Sequence, residues 1–310
     1  MDAPSVVLAR ADGALSAARD EDVDRRGRRV GAPVLVRPIA RGRIEREREA
    51  GVALRGLLDR IGGRMGRHAL ALAIPAGANS VEVRGWEELA RSAGAHQVRL
   101  VPAPMARAAT AGLLDGRGTL VVDLGATCSE AALIGPGGSV VERREAVGGV
   151  DLDRAVADYL RQHDRLVVGP RVAEEIKLMA AAAGGALDGE RFLVTGRDAY
   201  SGAVSSVELS GAEVALAVRP VLERMVRVVE LCLADAPDGL VEDVLGRGVV
   251  VGGGSASVPG LAGLLGARLG LAAWLLDDDG FAVASGALTV ALSGIGEERA
   301  LAPPLSGAGR

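Results

Sequence analysis

Short apolar runs alternate along the chain with longer stretches of helical spacing. Runs at 5–9, 69–74, 97–101, 119–123, 130–135, 139–144, 204–209, 248–252 and 272–276 predict strands. Apolar residues recur every three or four positions over 46–61, 82–93, 104–114, 151–162, 171–183, 211–234 and 258–269, which predicts helices. Strands separated by helices of this length argue for an α/β protein whose parallel or mixed sheets are covered by helices. Segment 15–45 breaks the alternation, being charge-rich and then forming one short strand, and reads as a small inserted subdomain. The loop Asp115-Gly116-Arg117-Gly118 precedes a fresh strand–turn–strand unit, so the main domain boundary is set there.

Composition narrows this picture. A chain of 310 residues is long for one core, so two domains are expected. Hydrophobic residues make up 49% but aromatics only 2%, so Ala, Val, Leu and Ile must build the core. A net charge of -4 gives no electrostatic reason to expect nucleic acid as a partner. No charge-free apolar run is long enough for a bilayer, and the first residues do not read as a secretion signal. Cys128 and Cys232 lie far apart with no CxxC spacing, which fits a reduced cytosolic protein without a metal site. His68, His96 and His163 fall in three different segments and read as ordinary surface or core residues. Residues 294–310, rich in Gly, Pro and Ala, read as a loose tail.

Three stretches carry candidate chemistry. In "GTLVVDLGATCSEAALIGPGGSV" (118–140) two strands flank a tight turn with Asp123 at its mouth. Such a turn aims backbone N–H groups at an anion, and Asp123 could hold a magnesium-bound water; a plain hairpin with an acidic rim is the other reading. In "VVVGGGSASVPGLAGLL" (249–265) three glycines join a buried strand to a helix. They would let a ligand approach the backbone, or simply make a strand–helix turn. The segment has neither a P-loop lysine nor a dinucleotide fingerprint. In "VAEEIKLMAAAAGG" (172–185), Lys177 is the one lysine among 36 basic residues, which suggests that a compact ammonium is needed there. Glu174, three residues earlier, falls on the same helical face.

Taken in order, these stretches resemble the MreB-like bacterial actins of the actin–sugar kinase–heat-shock chaperone ATPase superfamily, from about residue 3 to 290. "APSVVLARADGAL" is similar to that family's third strand, and "PVLVRPIARGRI" to the end of its first insertion. "LALAIPAGANSVEVRGWEELARSAGAHQVRLVPAPMARAATAGLL" resembles the following strand, helix, strand and helix. "LVVDLGATCSEAALIGPGGSVVERREAVGGVDLDRAVADYL" resembles the second phosphate hairpin and its helix. "GPRVAEEIK" and "VVGGGSASVPGL" resemble the two adenosine-contacting segments, and "DDDGFAVASGAL" the final helix. The resemblance implies an actin-like fold of two lobes, at 1–117 and 118–293, with insertions near 15–45 and 177–212. It implies an ATP or ADP site, with Mg2+, built from Asp123, Gly125, Ala126, Thr127, Glu174, Lys177, Gly252, Gly253, Gly254, Ser255 and Ala256.

Three departures from the family pattern bear on function. By the resemblance the chain starts after the opening strand, phosphate turn and strand of the first lobe, so the strand at 5–9 is expected to lack a neighbour. The glycine- and threonine-rich phosphate turn has become Gly125, Ala126, Thr127, Cys128 and Ser129, whose side chains restrict close approach. The water-orienting Glu before a proline is Ala103 before Pro104, which leaves no catalytic residue. Half a nucleotide site is therefore expected, with weak binding and little or no hydrolysis. The implied role is cytoskeletal, in cell shape and wall growth, with self or a competent MreB-like homologue as partner and wall-synthesis machinery beyond. A non-polymerising adaptor and a sugar-kinase-like enzyme are the alternatives. Neither of the family's membrane-contact features is evident; Arg64 and Arg67 could touch anionic lipid, though solvation suffices for them. Membrane contact is therefore expected to be at most peripheral, and the location cytoplasmic, at the inner face of the membrane through partners.

Overall fold

The computed structural model describes residues 7–9, 15–17, 34–62, 68–182, 191–258, 260–276 and 280–294. Arg64, Arg67, most of the charge-rich part of the 15–45 segment and nearly all of the 294–310 tail lie outside these residues.

The centre of the molecule is a five-stranded sheet in the order β10 (Gly138–Glu145), β9 (Ser129–Gly135), β8 (Thr119–Leu124), β14 (Val249–Gly252) and β15 (Ala273–Leu275). The β10–β9–β8 half is antiparallel, while β14 runs parallel to both β8 and β15. All of β9 and β14 is buried, which fits the apolar runs Ala131–Ile134 and Val249–Val251: both faces of the sheet are covered. Because side chains alternate across a strand, Leu120, Val122, Ala131 and Leu133 point into one core. That core is closed by helices Gly149–His163, Gly211–Ala234, Asp238–Arg247 and Leu261–Leu269. Val121, Ala132, Ile134 and Val250 point the other way, against helices Ala103–Thr110 and Ala282–Ser293. The two helices touch so closely that a methyl on Gly286 would lie 1.7 Å from the Ala106 carbonyl oxygen.

The N-terminal part is divided among smaller sheets. β6 (His68–Ile74) and β7 (Ala95–Pro102) pair in parallel across helix Ser80–Ser92. That helix starts sharply: Asn79 Oδ1 accepts the N–H groups of Val81 and Glu82, and Glu82 accepts the Asn79 N–H. A small core of Ala50, Ile74, Trp86 and Leu89 joins it to helix Glu47–Gly62. The strand expected to lack a neighbour has two. β1 (Val7–Ala9) is the middle strand of an antiparallel sheet, between β2 (Leu15–Ala17) and β3 (Val34–Val36). Its neighbours come from the segment read as an insertion, and three-residue strands are too short to show a period.

Among the longer elements, two had no clear sequence signal. β12 (Arg191–Asp198) lies between β11 (Leu166–Val167) and β13 (Val204–Ser210), its alternation diluted by two arginines and Gly196. Helix Asp238–Arg247 follows Pro237 directly.

Candidate functional site

The turn between β8 and β9 is tied down at its base by the protein itself. The Gly125 N–H donates to the Cys128 carbonyl oxygen, and a methyl on Gly125 would approach that oxygen to 2.9 Å. The first N–H groups of helix Gly149–His163 donate to this turn, Gly149 to the Gly125 carbonyl at 3.1 Å and Val150 to the Ala126 carbonyl at 2.8 Å. Gly148 permits the contact, since a methyl there would lie 2.5 Å from the Gly125 oxygen. Asp151 completes the helix start by accepting the Gly148 N–H at 3.0 Å. Ala126 is exposed at the tip.

Asp123 sits at the mouth of this turn, and its partner is one that no motif pointed to. Arg107, only 3% exposed, extends from helix Ala103–Thr110 and donates through Nη2 to both Asp123 oxygens, at 3.2 and 3.1 Å. The glycines at 252–254 are used unequally. A methyl on Gly252 would lie 2.5 Å from Arg107 Cδ, so this glycine makes room for the arginine stem. Gly253, at φ +96°, needs its missing side chain twice over: a methyl would meet Asp123 Oδ1 at 2.4 Å and the Leu124 carbonyl at 2.5 Å. Nothing lies within 4 Å of such a methyl on Gly254, which alone of the three faces open space. Ser255 is buried and donates its hydroxyl to the Gly125 carbonyl at 2.9 Å; the buried Ala256 donates its N–H to the Gly253 carbonyl.

These residues do not fit a hydrated divalent cation at Asp123. Both carboxylate oxygens contact a guanidinium, and the Gly253 backbone closes on Oδ1. Among the described residues, no group of three or more His, Cys, Asp and Glu gathers as metal ligands would.

Lys177 and Glu174 part company. Glu174 is exposed on helix Pro170–Ala182, whereas Lys177 is buried and forms an ion pair of 2.7 Å with Asp153 on helix Gly149–His163. The helix packs against its neighbour, which turns position 177 inward and position 174 out. The ammonium also lies beside Gly149, whose added methyl would be 3.8 Å from Nζ and 2.5 Å from Ser255 Oγ. The structure thus gathers Gly125, Gly149, Asp153, Lys177 and Ser255 into one cluster.

Arg41 joins the turn to the N-terminal part. β4 (Ile39–Ala40) and β5 (Arg43–Ile44) form a two-residue hairpin with Arg41 at φ +53° and Gly42 at φ +69°. Two left-handed residues suit such a turn, but the first is normally Asn, Asp or Gly. Arginine there is held by what it reaches across the molecule. Its N–H donates to Thr127 Oγ1 at 3.0 Å, and its guanidinium to the Ala146 carbonyl and to Asp151 at 2.9 Å. Nothing in "ARGR" marks Arg41 out from Arg43.

Glu130 pairs in register with Asp123 and is 6% exposed, accepting the Ala76 N–H at 3.0 Å. Burial pushes its carboxyl up to about 7; the charge of Asp123 adds to this, while the Ala76 N–H opposes it. Burial, with Glu130 adding, pushes the neighbouring Cys128 thiol up to about 12, so this thiol is no nucleophile at neutral pH. With the folded carboxyl raised from 4.5 to about 7, the native state binds more protons than the unfolded one between those values. Stability is therefore expected to fall as pH rises through this window, and Glu130→Gln should flatten that fall. Thermal midpoints of both proteins from pH 4.5 to 7.5 check this; parallel curves would refute it.

A mixed sheet with paired helices on both faces, preceded by smaller sheets that close over its central hairpin, defines an actin-like fold. Solved structures carry the same fold: MreB5 of Spiroplasma citri bound to ADP superposes with a TM-score of 0.85 at 22% identity, covering 96% of this chain and 92% of that one. The MamK double helical filament gives a TM-score of 0.75 at 19% identity, covering 93% and 91%. The family model described as MreB/Mbl protein matches residues 1–295. The cell shape-determining protein Mbl of Bacillus subtilis (strain 168) is 28% identical over 86% of this chain and 81% of its own length. The cell shape-determining protein MreB of Escherichia coli (strain K12) is 33% identical over 69% of this chain, a match spanning 62% of that relative. The chain belongs to the MreB/Mbl family of actin-like proteins.

Proposed function

We propose that the chain is a filament-forming or filament-associated protein of cell-shape control and wall growth, with a nucleotide site that binds weakly and hydrolyses ATP slowly or not at all. It acts in the cytoplasm, with another copy or a competent homologue as its partner, and reaches the wall-synthesis machinery at the inner face of the membrane through such partners. The observation that carries the reading is Ala103. It begins helix Ala103–Thr110 at the position where the family resemblance requires a carboxylate to orient water, and a methyl group can do neither that nor accept a proton. The glycines support it: Gly125, Gly252 and Gly253 serve internal contacts, and Gly254 keeps an open face. Any bound nucleotide is then held more through base and ribose than through phosphates, and ADP and adenosine should bind alike.

The test is sedimentation of the purified chain with and without ATP, together with phosphate release. Pelleting that is indifferent to ATP, with release no faster than the buffer control, is the expected result. Release at the rate of an intact relative would overturn the weak-hydrolysis reading. A chain that stays in the supernatant under both conditions, and also when mixed with a competent homologue, would favour the adaptor instead.

A further inference from the structure

We propose that Arg107 takes the place of a divalent cation at Asp123, so that the cleft is neutralised by the chain itself and has no use for Mg2+. Asp123 ends β8 at the mouth of the turn, where a carboxylate without a partner would gather a hydrated cation by its charge alone. Arg107 answers that charge from within, contacting both oxygens at 3.1–3.2 Å from a side chain that is 4% exposed. A guanidinium suits the task because it stays charged at any working pH and offers its donors in a fixed plane. The backbone is shaped around the pair, not merely tolerant of it. Gly252 lacks the methyl that would strike Arg107 Cδ at 2.5 Å, and Gly253 lacks the one that would strike Asp123 Oδ1 at 2.4 Å. Arg107 is the one charged residue of its helix, "APMARAAT", and it lies on the buried face.

The proposed replacement does not depend on weak hydrolysis, and one arm of its test needs no nucleotide. In the full chain, thermal midpoints are compared in millimolar Mg2+ and in EDTA, and Mn2+ binding is followed by electron paramagnetic resonance. The wild type should show equal midpoints, and its Mn2+ binding should not change on Asp123→Asn. Arg107→Ala should melt lower in EDTA, regain at least half of that loss in Mg2+, and bind one Mn2+ more than wild type. Mg2+ stabilising the wild type as much as Arg107→Ala, or a Mn2+ site lost on Asp123→Asn, would overturn the proposal. If Arg107→Ala does not fold, the wild type and Asp123→Asn still decide. With saturating ADP, an equal midpoint rise in Mg2+ and EDTA supports the proposal, and a rise confined to Mg2+ overturns it. No rise in either would sink nucleotide binding alone, and the Mn2+ comparison would then decide between guanidinium and metal.

Discussion

Lys177→Met is expected to lower the unfolding free energy by about 3 kcal/mol, because removing one partner of a buried ion pair strands the other. Asp153, with only 15% of its side chain exposed, would lose its cationic partner. Water can reach that carboxylate in part, which places the loss at the low end of about 3–5 kcal/mol for such changes. Replacing both partners, as Lys177→Met with Asp153→Leu, should recover most of it, since no charge is then left behind. Lys177→Arg tests the compositional clue directly. The ammonium lies among Gly149, Asp153 and the segment of Ser255, and a planar guanidinium on a longer stem has no such slot. Urea midpoints of the four proteins measure these effects. A Lys177→Met protein within about 0.5 kcal/mol of wild type, the range of an ordinary surface substitution, would show that the pair contributes no stability.

Gly286→Ala should cost as much through sterics alone. The added methyl would lie 1.7 Å from the Ala106 carbonyl oxygen and 2.6 Å from Thr110 Oγ1, with backbone on the other side. Thr110 is itself bonded to the Ala282 carbonyl, so the helix cannot slide to make room without losing that bond. Overpacking in a rigid core costs about 1–3 kcal/mol and occasionally more, and a helix-to-helix backbone contact leaves little to relax. Gly263→Ala in helix Leu261–Leu269 is the control, because nothing lies within 4 Å of the added methyl. There the change should stabilise by about 0.4–1 kcal/mol through the unfolded chain. Equal midpoints for the two variants would mean that the helices at 103–110 and 282–293 are not packed this tightly.

The parts of the fold that the sequence announced are those with one clear physical demand. β8, β9 and β14 are almost wholly buried, so each carries a run of three or four apolar residues, and their ends were placed within a residue or two. β12 and helix Asp238–Arg247 are half exposed and mix their signals, and short strands such as β2 have no room for a period. The site was legible in a different way. Lys177 stood out by being the lone lysine, but its partner Asp153 lies on another helix, and helical spacing favoured Glu174 instead. Glycines announced close approach at 125 and 252–254 without saying to what; at Gly252 and Gly253 the answer is the protein's own Arg107, Asp123 and Leu124. Arg107 had a signal that could have been used: a lone charge within a run of small apolar residues on a short helix is poorly explained by solvation. Arg41 had none, because nothing in "ARGR" sets one arginine apart from its neighbour.

The Arg41 tip has a consequence for how often this cleft stands open. Its bonds to Thr127, Ala146 and Asp151 run from a hairpin near the start of the chain to the turn and helix start of the central sheet. Any motion that draws the hairpin away must break all three together. With the arginine side chain 38% exposed, their joint worth is about 2 kcal/mol. That makes the open conformer rarer by roughly thirtyfold, and a ligand that needs the open form binds more weakly by the same factor. A single residue, through its backbone and its side chain, thereby resists withdrawal of the hairpin, and it sits at a turn position where Asn, Asp or Gly is the usual occupant.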